Sequence, residues 1–217
     1  MNDMRFLRQQ DVVDAKKLAN LQVTLIGLGS IGSVTGLYLA KMGVGNLTAF
    51  DADIVEEHNW SNQLYSEADI DLPKTEAFRK LANLYGSIQT RVHMERYVDQ
   101  PLGNVVISAV DSMKSRETIW KATRDQAGVQ LYIDARMGLE TLVVHTVRPQ
   151  IRGDRVRYSQ TIIPDDQAFQ EPCTARTICY TPLMTASVVC NLVKRFANHE
   201  ALPIKVVLDL ETYTLIA

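Results

Sequence analysis

Residues 21–33, LQVTLIGLGSIGS, constrain the chain more than any other stretch. The apolar, β-branched run LQVTLI stops at glycine and predicts a buried strand over 21–26. A helix is predicted over 30–42, where Val34, Leu37, Tyr38 and Met42 recur at helical spacing. Between them Gly27, Gly29 and Gly32 hold the spacing of a nucleotide-binding turn. The first permits the tight turn, the second lets backbone approach a phosphate, and the third allows helix to pack closely on strand. A helix starting near Ser30 would aim free N–H groups and the positive end of its dipole at that phosphate. Asp51 lies 19 residues beyond Gly32, at the end of a second predicted strand, NLTAFDAD, where it can accept from ribose hydroxyls. A glycine-rich turn of purely structural use is the plainer reading. The strand before, the helix after and the acid at that distance favour a nucleotide, and NAD and ATP suit these residues equally.

Strand and helix then alternate. Pro73 opens a helix that Gly86 closes, TRVHMERYV (90–98) and NVVISAV (104–110) read as strands, a helix covers 113–126, and VQLYIDA (129–135) is a further strand. This rhythm implies a parallel sheet with right-handed crossovers. From Gly138 it changes: LETLVVHTVRP (139–149) and RVRYSQTII (155–163) alternate in polarity around QIRGD and predict an antiparallel extension. A loop carrying DDQAFQEPC leads to a helix over 182–197 and a last strand, IKVVLDL. The expected fold is α/β, a Rossmann-like doubly wound sheet, mostly parallel, with a C-terminal antiparallel extension.

Length and charge narrow the function. At 217 residues the chain suits one domain, and its net charge of −2 gives no general attraction to nucleic acid or anionic membrane. The opening MNDMRFLRQQ lacks the apolar core of a signal peptide, and the longest apolar stretch, PLMTASVVCNLV, is too short to span a bilayer. Cys173, Cys179 and Cys190 contain no CxxC pair, which argues against a disulfide framework or a cysteine-built zinc site and for a reducing cytoplasm. Cys179 and Cys190 read as small buried hydrophobes. The four histidines show no metal-binding spacing, and His93 and His145 fall within predicted strands as structural groups.

RFLRQ, GLGSIGS, LYLAKMGVGNLTAFDAD, PKTEA, SAVDSMKSR and C…TPLM occur in that order over nearly the whole chain. As an ordered set they resemble the ThiF/MoeB/HesA adenylyltransferases, relatives of the ubiquitin-activating enzymes. The resemblance implies one adenylation domain over 1–217: a helical arm (1–20), a nucleotide-binding half (21–137) and a C-terminal half (138–217). It implies ATP-dependent adenylation of the C-terminal carboxylate of a small ubiquitin-like or sulfur-carrier protein ending in Gly-Gly. It also implies a homodimer or heterodimer. A carboxylate ionised at neutral pH needs no general base to attack the α-phosphate; what the reaction needs is positive charge, metal and positioning.

Residue by residue, Asp111 matches the family's magnesium-associated aspartate, although an Asp there would equally cap the helix at 113. Lys74 matches the lysine that reaches the nucleotide phosphates. Asn59 and Gln63 match nucleotide-site positions, and Arg8 matches an arginine lent across the dimer to the partner's ATP. Cys173 fits the cysteine that accepts the activated carrier as a thioester or persulfide, with Arg176 near enough in sequence to lower its pKa.

One position departs. The family run N-x-x-R-Q reads NWSNQ here, so Asn62 stands where a phosphate-binding arginine is expected. Asn donates a hydrogen bond but supplies no charge. Arg116, Arg79 or Arg8 compensates, or adenylation is slow, or the chain is a non-catalytic subunit that completes a relative's site. An NAD-dependent oxidoreductase is the other reading, but it leaves PK and AVDS unexplained and lacks a residue set for hydride chemistry.

Overall fold

β1 (Gln22–Ile26) runs through the interior of an eight-stranded sheet, flanked by β2 (Asn46–Phe50) and β4 (Val105–Ser108), parallel to both. The structure, a computed structural model, describes residues 4–86, 89–164 and 178–217. The remaining strands are β3 (Gln89–His93), β5 (Leu131–Gly138), β6 (Thr141–Val147), β7 (Lys205–Asp209) and β8 (Thr214–Ile216). Their order is β3-β2-β1-β4-β5-β6-β7-β8. β3 to β5 are parallel to β1, and β6, β7 and β8 each pair antiparallel with the strand before. The chain therefore winds outward from β1 in one direction through β2 and β3, then returns to the other side through β4. Between β1 and β4 the strand order reverses, and that is where such sheets open a crevice at the carboxyl ends of their strands.

Alternation along the strands builds two cores. Val105, Ile107, Leu131 and Ile133 face one layer, formed by α1 (Ala15–Ala19), α2 (Ser30–Met42), α3 (Lys74–Tyr85) and α6 (Tyr180–Ala197). Ile26, Phe50, Val106 and Tyr132 face the other, where α4 (Met113–Asp125) and α5 (Arg152–Ser159) supply Ile119, Trp120 and Tyr158. Among the described residues no helix is long and apolar enough to cross a membrane.

The sequence reading holds for most of the parallel half and fails in three places. Residues 155–163 are not a strand: α5 occupies most of that stretch, and its two inward residues, Asp154 and Tyr158, lie four apart. That is helical spacing, which alternating polarity had masked. The strand expected over 90–98 ends at His93. β8, which no apolar alternation announced, closes a hairpin on β7 with all three of its residues exposed.

Candidate functional site

The glycine turn sits at the mouth of the β1/β4 crevice, and each glycine has a distinct reason to be there. Gly27 adopts φ +94°, and a Cβ on it would lie 2.5 Å from the Ala109 carbonyl oxygen at the end of β4. At Gly32 a Cβ would fall 1.8 Å from the Gly27 carbonyl, so only glycine lets α2 start against the turn. A Cβ on Gly29 would meet nothing within 4 Å. Gly29 is also the N-cap of α2, and no side chain caps that end. Open backbone beside an uncapped helix N-terminus fits a bound phosphate.

Two acids and a lysine complete this corner. Asp51 Oδ2 accepts from the Leu28 N–H at 2.6 Å and Oδ1 from the Asp53 N–H at 2.8 Å. The carboxylate thus braces the glycine turn from the end of β2. Burial raises its pKa, partly offset by those two backbone donors. Lys74, the first residue of α3, has a side chain only 9% exposed, and its Nζ lies 3.2 Å from Asp53 Oδ2, an acid that is 61% exposed. Tyr65, which sequence reading passed over, ties the corner together: its hydroxyl donates to the Leu28 carbonyl at 2.7 Å and lies 3.3 Å from that of Lys74.

Asp111 is exposed in the loop leaving β4. The helix cap expected of it belongs to Ser112, whose Oγ accepts from the Ser115 N–H at 3.2 Å. The described residues form no cluster of three His, Cys, Asp or Glu that could cage a metal. One exposed carboxylate beside a phosphate site does suit magnesium, which keeps much of its water and is held largely through phosphates.

Asn59 turns inward on its own loop, its Oδ1 accepting from the Glu56 N–H at 3.3 Å. The side-chain oxygens of Asn62 and Gln63 are buried without a hydrogen-bond partner, and Leu64 next to them is anchored by its N–H to Ser33 Oγ on α2 at 3.3 Å. This loop therefore packs on the first turns of α2.

Two arginines offered as substitutes for the missing one are already engaged. Arg79 pairs with Glu76 on the surface of α3. Arg116 is buried, donating from Nε to Asp134 Oδ1 at 3.0 Å and from its terminal nitrogen to the Ala135 carbonyl at 3.1 Å. Asp134, fully buried on β5, also accepts from Arg136 Nε at 2.6 Å and from the Tyr158 hydroxyl at 2.9 Å. Burial pushes its carboxyl up, but Arg116 and Arg136 outweigh that and hold it below the ordinary value. His145, opposite Asp134 on β6, is lowered to about 4 by burial and then by Arg136. Nothing in the sequence marked Asp134; only its register opposite Ser108 at the end of β4 puts it near the crevice.

Arg8 lies apart from all of these. It is exposed on a 3-10 helix over Met4–Gln9, which docks at the far end of α2: Gln9 Nε2 donates to the Met42 carbonyl at 2.6 Å. Thirteen helical residues, about 20 Å, separate that end from the glycine turn. Cys173 and Arg176 lie outside the described residues. Cys190 is buried as expected, its thiol pushed up to about 12, but Cys179 is exposed at the start of α6 and is not a core residue.

Proteins similar in sequence to this chain include named adenylyltransferases. The chain is 35% identical over 135 residues to the sulfur carrier protein ThiS adenylyltransferase of Escherichia coli, covering 55% of this chain and 54% of that protein. It is 26% identical over 204 residues to ubiquitin-like modifier-activating enzyme 5 of Gallus gallus, covering 85% of this chain and 46% of that one. The chain thus spans only about half the length of these curated relatives. Among solved structures, PaaA superposes with a TM-score of 0.79 at 17% identity, covering 98% of this chain and 71% of its own. E. coli MccB with ATP gives a TM-score of 0.77 at 18% identity, covering 99% of this chain and 71% of that structure. These two likenesses bear on the fold. The ThiF family itself matches residues 2–201, and the chain belongs to that family.

Proposed function

We propose that the chain catalyses ATP-dependent adenylation of the C-terminal carboxylate of a small ubiquitin-like or sulfur-carrier protein ending in Gly-Gly. The observation that carries this reading is the corner formed by Gly29, Asp51 and Lys74, an open phosphate cradle with a largely buried lysine beside it. The uncapped N–H groups of α2 and the Lys74 ammonium would hold the phosphates, and Asp51 would accept from ribose while bracing the turn. Asp111 would hold a hydrated magnesium ion, which supplies positive charge to the leaving pyrophosphate when bound. The carrier carboxylate attacks the α-phosphorus and forms a new P–O bond as the bond to pyrophosphate breaks, and no proton need be removed first. Gln63 would lie at the edge of this site, while Asn59 Oδ1 accepts from the Glu56 N–H on its own loop.

Two further parts of the reading concern the assembly. Arg8 is too far from its own glycine turn to act there, which supports a dimer, homo- or heteromeric, in which it serves the partner's site. In a second step the Cys173 thiolate would attack the carrier acyl-adenylate, forming a thioester as AMP leaves, in a cytoplasmic setting that keeps thiols reduced. Thermal melting separates ATP from NAD: ATP with magnesium should raise Tm and NAD should not. Purified E. coli ThiS is then the first carrier to try in ATP–pyrophosphate exchange. Stabilisation by NAD alone would overturn the reading.

A further inference from the structure

A second concave surface lies at the other end of α4. That helix begins next to Asp111 and ends at Arg124 and Asp125. Its thirteen residues place Arg124 about 20 Å from the crevice. There α4 and α5 flank an open surface cleft of about 580 Å³ lined by Arg124, Asp125, Arg152, Arg155, Val156, Ser159 and Gln160.

Its chemistry is one-sided. Arg148 and Arg157 nearby are neutralised by Asp154. Arg124, Arg152 and Arg155 form no ion pair among the described residues, and Asp125 is the one acid that lines the cleft. The Arg124 guanidinium carbon lies over the Trp120 ring, 5.9 Å from its centroid. Ser159 accepts from Trp120 Nε1 at 3.0 Å and keeps its own hydrogen to donate. Gln160 adds an amide. Three cations and two neutral donors thus share a concavity on a chain whose net charge is −2.

We propose that this cleft binds a small, multiply charged phosphate anion. Guanidinium forks match phosphate oxygens in pairs, and a tetrahedral anion accepts from several directions at once, as this ring of donors requires. The volume falls within the range of small-molecule sites. A single-stranded nucleic acid would need an exposed aromatic platform; the aromatic residue beneath this cleft, Trp120, is 3% exposed. The site is independent of the adenylation reading.

Trp120 is a built-in reporter, because the chain has 2 tryptophans and Trp60→Phe leaves only this one. In that background, titration with pyrophosphate at constant ionic strength should change Trp120 emission saturably, with half-saturation at about 1 mM or below. Adding Arg152→Gln and Arg155→Gln together should weaken the response about tenfold or more, since two charge-assisted contacts are lost. Lys74→Met should leave it unaltered, and its loss there would assign the signal to the glycine turn and overturn the proposal. No saturable change up to about 10 mM would do the same. So would equal affinity in the double variant, or binding of a single-stranded oligonucleotide without binding of pyrophosphate.

Discussion

Lys74 Nζ and Asp53 Oδ2 stand 3.2 Å apart at the edge of the crevice, the lysine largely buried and the acid largely exposed. Under the proposed function a bound phosphate would compete with Asp53 for the same ammonium, and the pair would hold the lysine in place until nucleotide arrives. Lys74→Met should therefore lower ATP affinity by about tenfold or more with the fold retained. Calorimetry with ATP and magnesium checks this, and unchanged affinity would remove the lysine from the site.

Asp51 carries two loads. Its bonds to the Leu28 and Asp53 N–H groups make it part of the glycine turn as well as a candidate ribose acceptor. Asp51→Ala should weaken ATP binding and also destabilise the protein by about 1–3 kcal/mol, because two donors lose their acceptor. Asp51→Asn keeps one acceptor and should lose less in both. Denaturant melts run beside the calorimetry separate the two effects.

For Asp111 the capping role is excluded by geometry, so loss of the carboxylate should show in chemistry alone. Asp111→Asn is expected to change stability by less than about 0.5 kcal/mol while abolishing carrier-dependent pyrophosphate exchange. Ser112→Ala, which removes the true cap, should cost about 1 kcal/mol. The reverse ranking in chemical denaturation would return Asp111 to a structural role.

Of the arginines proposed to make up for Asn62, Arg116 is committed to Asp134 and Arg79 to Glu76, and Arg8 lies at the far end of α2. Asn62→Arg should then raise exchange by about tenfold to a hundredfold, the worth of one restored charge contact in a dry site. Equal rates in the two proteins would mean that a cation from a partner already fills the space.

The Asp134 network sets an acid limit on stability. His145 is lowered to about 4, whereas an unfolded chain titrates it near 6.5. Between those values the unfolded state binds a proton that the folded state refuses, so stability falls as pH drops from 6.5 toward 4. Asp134, held below 3.8, contributes stability above that value and loses it as the pH falls further. Tm should thus decline more steeply from pH 6.5 to 4 in the wild type than in His145→Gln. At neutral pH, Asp134→Ala, which strands Arg116 in the core, should cost about 3–5 kcal/mol.

Local chemistry was enough to read the first half of this protein. LQVTLI followed by three spaced glycines admits one compact solution, a buried strand turning into a helix, because the backbone at 27 and 32 leaves no room for a Cβ. Pro73 marks the start of α3 for an equally local reason, its missing N–H, whereas Gly86 at the other end sits in extended backbone, where a Cβ would lie 2.8 Å from that of Ala40. The ordered motifs were sufficient to identify the ThiF family. Tertiary structure decided what depends on partners distant in sequence. Residues 155–163 had two admissible periods, and packing of Tyr158 on Trp120 and Tyr132 chose the helical one. Arg116 looked available until register brought Asp134 beside it, and Asp111 looked like a cap until Ser112 took the N–H groups. A single residue's identity gives its chemistry, but whether that chemistry is free to act depends on which long-range neighbour has already claimed it.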